Sequence, residues 1–287
     1  MTQTTAHKWI DRPAKSQIGF SLIELLSVMA IIAMMMALIA PAFNAIKGGN
    51  DIGRSTYEIA STLQEARTYA MANNTYVWVG FFEEDGTKNS TTPASTGNGG
   101  RVIISVVASQ DGTRYSDANV DAATPAAFGA GSTSNPTSLV QISRLIKLDN
   151  VRLASLNDGS SNGGGYPARP GVQAAYQVGD TIGQAPNNAG GSFAQHYGAG
   201  ANPTTFKYPL VAATPQYTFS KIIEFNPQGE ASKIVENVFT GPGPQDAMEI
   251  AIVPTHGSTP DPRYPQGKAA AALQIEGITG QVRIYRL

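Results

Sequence analysis

The sequence predicts an α+β fold in which a long N-terminal helix, membrane-spanning in its first half, packs on an antiparallel β-sheet domain with long Gly/Ser-rich loop insertions. Three observations support this prediction. An uninterrupted apolar run near the N-terminus leads into a segment of helical periodicity. From residue 75 onward, short segments rich in β-branched and aromatic residues predict strands. Stretches rich in Gly, Ser, Asn and Pro separate those segments and have the composition of loops.

The composition excludes several classes of function. Lys and Arg together number 20 and Asp and Glu number 21, so no overall positive charge favours nucleic acid. The chain has no cysteine, which rules out disulfides, thiolate metal sites and a cysteine nucleophile. Charged residues make up 14% of the chain, well below the roughly 25% of an average soluble protein. This balance is typical of an exported, loop-rich domain.

The apolar run extends from Phe20 to Ala40 and contains one charged residue, Glu24. A helix of that length rises about 31 Å, which is enough to cross a bilayer. The leader before the run carries Lys8, Arg12 and Lys15. By the positive-inside rule, the leader is expected in the cytoplasm and everything after the run on the far side of the membrane.

A cleavable secretory signal peptide is the alternative interpretation of this run. The small residues of Ala40-Pro41-Ala42 resemble a signal-peptidase site. The apolar core of such a peptide is only about 7 to 15 residues long, however, and both the length of the run and the proline count against this reading.

Glu24 indicates whether the apolar helix is only a membrane anchor or also carries a functional group. A charge in the centre of an apolar helix costs about 2.5 to 3.5 kcal/mol on insertion scales, so an intramembrane carboxylate is a candidate functional group. No Lys, Arg or His lies within two helical turns of Glu24, so a charged partner would have to come from another chain or a newly made terminus. Alternatively, the side chain extends to the lipid headgroups.

The segment Gly19-Phe20-Ser21-Leu22-Ile23-Glu24-Leu25-Leu26 resembles the N-terminal signature of type IV prepilins and type II secretion pseudopilins. The resemblance implies cleavage after Gly19 by a prepilin peptidase and N-methylation of the new terminal Phe20. It also implies that Glu24 pairs with the free N-terminus of a neighbouring subunit. Pro41 stands where the family commonly has a helix-bending proline, and its missing N–H and ring clash would bend the helix.

The same resemblance implies partners and a location. The expected partners are other pilin-like subunits bound through the N-terminal helix, the prepilin peptidase, an inner-membrane assembly platform and secreted cargo. The expected location is the bacterial inner membrane, crossed once, with a cytoplasmic N-terminus, a periplasmic C-terminal domain and assembly into a periplasmic or surface filament.

After Pro41 the pattern becomes amphipathic and predicts a helical face that packs on the exported domain. The residues that form this apolar stripe are Ile52, Thr56, Ile59, Leu63, Ala66 and Ala70. The predicted domains are therefore a removed leader 1–19, a helix 20–74 that is transmembrane over 20–40 and amphipathic over 41–74, and an exported domain 75–287 with insertions near 110–136 and 157–215.

Four segments organise the first half of the exported domain. Thr75 to Phe82 and Arg101 to Ser109 are apolar on both alternations and predict strands covered on both faces. Glu83 to Gly100 between them predicts a loop. The segment Leu139 to Leu156 predicts two short strands about a turn at Asp149-Asn150.

In the C-terminal half, Asn226-Pro227-Gln228-Gly229 has the residue preferences of a type I turn and predicts a hairpin. Lys221 interrupts the apolar face of the strand before it. Gly280 is expected to turn the chain into a final strand. Together with Thr62 to Ala70, the two turn regions resemble the H-type minor pseudopilins.

No constellation of residues predicts catalysis, a cofactor or a metal site. His7, His196 and His256 are isolated. The segment Asp117 to Asp121 has half of a calcium-loop spacing, but Ala122 replaces the required glycine, so chance explains it best. The chain is therefore expected not to be an enzyme.

The predicted function is that of a structural subunit, a minor pseudopilin or pilin-like protein, in a type II secretion pseudopilus or a type IV pilus-like filament. The alternative is a pilin-anchored adhesin or a cargo- or ligand-binding module that uses the long loops.

Overall fold

The computed structural model describes residues 21–97, 99–114, 139–156, 169–170, 172, 178, 206–210, 214–219, 221–233, 247–262 and 270–286, with the side chains of 38–50 excepted. The chain divides into two compact units, Met1–Ile46 and Lys47–Leu287. The first unit contains the start of the helix, and the second contains the rest of the helix and the strands found among the described residues.

Helix α1 spans Leu22–Asn73. In its second half the predicted stripe is buried from Thr56 to Ala70, while Arg54 and Glu65 are exposed. The helix ends in a Schellman motif, because Asn74 has a left-handed φ of 49° and the Thr75 amide donates to the Ala70 carbonyl at 3.1 Å. This cap directs the chain into the first strand.

The strands, in chain order, are β1 Val77–Asp85, β2 Gly100–Ser109, β3 Leu139–Gln141, β4 Ile146–Asp149, β5 Val151–Ala154, β6 Phe206–Tyr208, β7 Tyr217–Phe219, β8 Lys221–Phe225, β9 Ala231–Lys233, β10 Ala247–His256, β11 Thr259–Pro260, β12 Ala271–Glu276 and β13 Val282–Arg286.

These strands form three antiparallel sheets. The first has the order β3-β2-β1-β8-β9, with β4 also paired to β2, and the second has the order β11-β10-β12-β13, with β5 also paired to β10. The third is the short pair β6-β7. One apolar core joins the stripe of α1 to both larger sheets and to the small pair. The α+β class with antiparallel sheets is therefore confirmed.

The first strand is longer than predicted. The predicted loop was wrong at its start, because Glu83, Glu84 and Asp85 continue β1 and are buried. Glu83 is tolerated there because its carboxylate accepts hydrogen bonds from Lys221 Nζ at 2.6 Å and from the Leu153 amide at 3.0 Å. Lys221, which seemed to interrupt an apolar face, is thus the buried partner of Glu83.

In the segment Leu139 to Leu156, the two predicted short strands about the turn at Asp149-Asn150 are confirmed as β4 and β5, and β3 is an additional strand. The turn joins two sheets, because β4 pairs in the first and β5 in the second. At the turn Asn150 has a left-handed φ of 61°, and its Nδ2 donates to Asp51 Oδ2 of α1 at 3.0 Å. The turn residue therefore carries the chain from one sheet to the other beside the helix.

The predicted turn after β8 is confirmed. The Gly229 amide donates to the Asn226 carbonyl at 2.9 Å, and Asn226 Oδ1 accepts from the amides of Gln228 and Glu230. Strands β8 and β9 form the hairpin that this turn closes.

The two glycine turns of the C-terminal half meet beneath α1. Arg67 Nε donates to the Gly229 carbonyl at 3.3 Å, and Gln64 Nε2 donates to the Gly280 carbonyl at 3.4 Å. A Cβ on Gly280 would lie 2.2 Å from the Gly229 oxygen, and the φ of Gly280 is +63°. Only glycine therefore fits where the helix and the two turns converge.

The predicted insertions near 110–136 and 157–215 lie mostly outside the described residues. The described start of the first insertion, residues 110–114, is exposed, whereas several described residues of the second are buried. Arg169 is buried and forms a bidentate ion pair with Glu249 of β10, in which Nη2 and Oε1 are 2.8 Å apart. Val172 and Val178 are buried, and the Val178 amide donates to the Glu249 carbonyl. The second insertion also contains β6.

Glu224 of β8 is a buried carboxylate with an unusual pKa. Burial raises its pKa, although Arg114 at 2.7 Å and the indole N–H of Trp78 at 2.9 Å both act in the opposite direction. The folded protein therefore binds a proton at Glu224 more tightly than the unfolded chain does.

Replacing Lys221 by Ala is expected to lower the free energy of unfolding by about 3 kcal/mol, because the Glu83 carboxylate would stay buried without its closest cation. The measurement is denaturant unfolding of the purified chain in detergent. Lys88→Ala removes an exposed lysine that pairs with Asp85 at 3.4 Å, and it should cost at most about 1 kcal/mol. Equal losses in the two variants would contradict this account of Glu83.

Glu224 should make stability depend on pH. Since its folded pKa is raised above the ordinary 4.5, its contribution to stability is complete below that value and is lost as pH rises through the folded pKa. Glu224→Gln should therefore stabilise the protein relative to wild type increasingly as pH rises across this window. Unfolding measured at several pH values checks this, with Glu65→Gln on the exposed face of α1 as control. A pH-independent difference between Glu224→Gln and wild type would refute it.

Candidate assembly site at the helix N-terminus

The helix begins with a cap made by its own sequence. Ser21 precedes the first helical residue, and the Glu24 amide donates to Ser21 Oγ at 3.3 Å and to the Ser21 carbonyl at 3.1 Å. Serine followed three residues later by glutamate is the spacing of a capping box. This start signal is visible in the sequence itself, although the apolar run alone did not predict it. The cap fixes where the helix starts, directly after the predicted mature N-terminus.

Glu24 lies in the first turn of α1, where a negative charge interacts favourably with the helix dipole. Its side chain is exposed, and within the described part of the chain its carboxylate forms no ion pair. Ser27 Oγ donates to the Glu24 main-chain carbonyl at 2.9 Å, which leaves the carboxylate uninvolved. Pairing with the terminus of another subunit remains a prediction.

The apolar side chains in this part of the helix are exposed on every side. Exposure ranges from 43% at Ile32 to 71% at Met34 and 82% at Leu22. A surface helix of a soluble domain has one apolar stripe and one polar face, whereas a helix that is apolar all round needs apolar surroundings on all sides. This half of α1 therefore differs in kind from the amphipathic half.

Two of the predicted site residues and the end of the predicted span are not among the residues that the structure describes. Gly19 and Phe20 lie outside the described residues, as do the side chains of 38–40 at the end of the predicted span. Across the residues that the structure does describe, no helix combines the length and apolarity needed to cross a membrane. Helix α1 continues through Pro41, whose side chain is not described, so the bend there stays a prediction.

A family model described as the prokaryotic N-terminal methylation motif matches residues 14–40. The chain carries a prepilin-type N-terminus. The motif supports the type IV pilin and pseudopilin class and implies processing by a prepilin peptidase, membrane anchoring and assembly with other pilins. It does not extend to the H-type subtype. No curated protein matches the chain, and neither does any solved structure.

No metal-binding cluster of His, Cys, Asp and Glu occurs among the described residues. His256 is exposed, and its Nε2 lies 3.8 Å from Asp261 Oδ2. One imidazole and one carboxylate are too few ligands for a metal site. His7, His196 and the segment Asp117 to Asp121 lie outside the described residues. The prepilin-type N-terminus is therefore the candidate site that both the sequence and the family model support.

Prepilin-type processing predicts the mass of the mature protein. Purified from its native membrane, the chain should begin at N-methylated Phe20 and retain the apolar helix, as intact mass and N-terminal sequencing would show. Gly19→Leu should leave the leader attached, because the residue before the cleaved bond would change. A wild-type chain that begins beyond Ala42 would instead indicate an ordinary signal peptide.

Proposed function

We propose that this protein is a structural subunit, a minor pseudopilin or a closely related pilin-like protein, that assembles through α1 into a type II secretion pseudopilus or a type IV pilus-like filament. The observation that carries the proposal is the first part of α1, where exposed apolar side chains surround a helix with one carboxylate in its first turn. Its work is mechanical rather than catalytic.

The exposed apolar helix requires two successive environments in this proposal. Before assembly, lipid surrounds it, and the basic leader with Lys8, Arg12 and Lys15 holds the N-terminus in the cytoplasm. After assembly, the helices of other copies replace the lipid. The domain that follows is then periplasmic, where it can meet an assembly platform at the inner membrane and secreted cargo.

Glu24 determines the register of the incoming subunit. A buried ion pair contributes little net stability, but a helix displaced along its neighbour would leave both charges unpaired in an apolar environment. Pairing between the Glu24 carboxylate and the methylated amine of Phe20 in a neighbouring subunit thus favours one position. The cap at Ser21 supports this role, because it places the helix start and the carboxylate at a fixed separation.

The assignment to H-type minor pseudopilins is supported by a convergence in the fold. The three sequence segments that carry that resemblance are Thr62 to Ala70, Phe225 to Gly229 and Thr279 to Val282. They meet where Arg67 and Gln64 bind the carbonyls of the two turn glycines. Segments that pack together are expected to change together, so their joint similarity supports a shared domain architecture.

Substituting Glu24 by Ala should abolish incorporation into filaments while leaving membrane insertion intact. Insertion should persist because removal of a charge makes the helix more apolar. The measurement compares the chain in the membrane fraction with the chain in sheared filaments or in cross-linked assemblies of the native host. Glu65→Ala, which removes an exposed carboxylate from the second half of α1, is the matched control and should assemble normally.

Normal assembly of the Glu24→Ala variant would eliminate the register role. Loss of both variants from the membrane would instead point to a failure of insertion or folding. Glu24→Gln keeps the size and polarity of the side chain, so failure of this variant as well would identify the charge as the required property.

A further inference from the structure

A polar cleft lies where α1 ends against the first sheet, and we refer to it as the terminal cleft. It has a volume of about 760 Å³, within the range of small-molecule sites. The residues that matter for its chemistry are Tyr69, Asn73, Asn74, Gln110, Asp111 and Val140. All of them belong to the unit Lys47–Leu287, remote in sequence from the N-terminal motif.

Hydrogen bonds hold the walls of the cleft in place. Thr75 Oγ1 donates to the Ser109 carbonyl at 2.7 Å and ties the end of the helix to the end of β2. Asp111 Oδ1 accepts from Ser109 Oγ at 2.7 Å and from the Thr113 amide at 2.9 Å, which fixes the turn after β2. A ligand would therefore meet a largely preformed surface, and little ordering would oppose binding.

The lining is rich in amides. Asn73 Nδ2 donates to the Tyr69 carbonyl at 3.0 Å, which leaves its Oδ1 without a partner in the described part of the chain. The side chains of Asn74 and Gln110 form no hydrogen bond with described residues either, and both are exposed. Each amide offers a carbonyl acceptor and an N–H donor, the combination that a hydroxyl group can satisfy in both directions.

Other ligand classes fit the terminal cleft poorly. An anion would meet the negative end of the helix dipole, and no Lys, Arg or His is among the described residues that line the cleft. A calcium ion takes six to eight oxygen ligands, commonly from several carboxylates, whereas Asp111 is the one carboxylate in the described lining. An apolar ligand would find two large apolar side chains in the described part of the lining, Tyr69 and Val140.

We propose that the terminal cleft binds a neutral, hydroxyl-rich ligand, the saccharide unit of a glycan. The amides of Asn73, Asn74 and Gln110 would bind hydroxyl groups, and the ring of Tyr69 would contact the apolar face of a sugar ring. This proposal does not depend on filament assembly, and it places binding between the end of α1 and the residues that directly follow β2.

The test is titration of the full-length chain, in a detergent without a sugar headgroup, with maltotetraose, cellotetraose and chitotetraose. At least one should bind with a Kd at or below about 1 mM. Asn73→Leu and Gln110→Leu should each weaken binding about tenfold, since each removes hydrogen-bonding groups and fills part of the cleft. Thr68→Leu, an exposed change on α1 outside the cleft, is the matched control and should bind as wild type does. Trp78 fluorescence monitors folding.

Glu24→Ala should leave saccharide binding unchanged, which separates failure of this proposal from failure of the assembly proposal. Absence of binding by all three oligosaccharides at about 10 mM would overturn the proposal. So would binding that survives both cleft variants, and so would binding that disappears on removal of calcium, because the cleft would then be a cation site.

Discussion

The carboxylate of Glu83 lies where the two large sheets meet, and the packing of the domain depends on the hydrogen bonds and the cation that surround this carboxylate. One oxygen accepts from Lys221 in the first sheet and the other from the Leu153 amide of β5 in the second. Arg152 approaches the second oxygen at 3.9 Å. Removing a charge from water costs several kcal/mol unless partners surround it, so the sheets can approach at this point only with these groups in place. The apolar core then closes around a fixed polar centre.

The elements that sequence analysis predicted well are those specified by local pattern. The buried stripe of α1 follows from three- and four-residue spacing, and the turn at Asn226 to Gly229 follows from the preferences of four adjacent residues. The end of β1 could not be predicted in this way. Glu83 has the polarity of a loop residue, and the lysine that allows its burial is 138 positions away in sequence. The sheet exchange at Asn150 depends on similarly distant partners.

The N-terminal site shows the same division. Its motif occupies residues 14–40 and can therefore be recognised in a short stretch of sequence, as can the capping box at Ser21. The Glu24 carboxylate forms no ion pair within the described part of the chain, so its pairing with another subunit stays a prediction from the motif. The terminal cleft had no sequence signal, because its walls come from the end of a helix, the end of β2 and the start of β3, and their amides are ordinary surface residues until the fold brings them together.

The ion pair between Arg169 and Glu249 limits how the middle of the chain can vary. Glu249 is completely buried in β10, and Gln274 also donates to its carboxylate at 2.9 Å. Arg169 comes from a region whose composition is that of a dispensable loop. A chain without Arg169 would nevertheless leave Glu249 buried in the second sheet without this cation. Insertions and deletions should therefore accumulate between such fixed points rather than across them. A relative with a much shorter middle region would need a neutral residue at the position of Glu249, or a cation supplied from elsewhere.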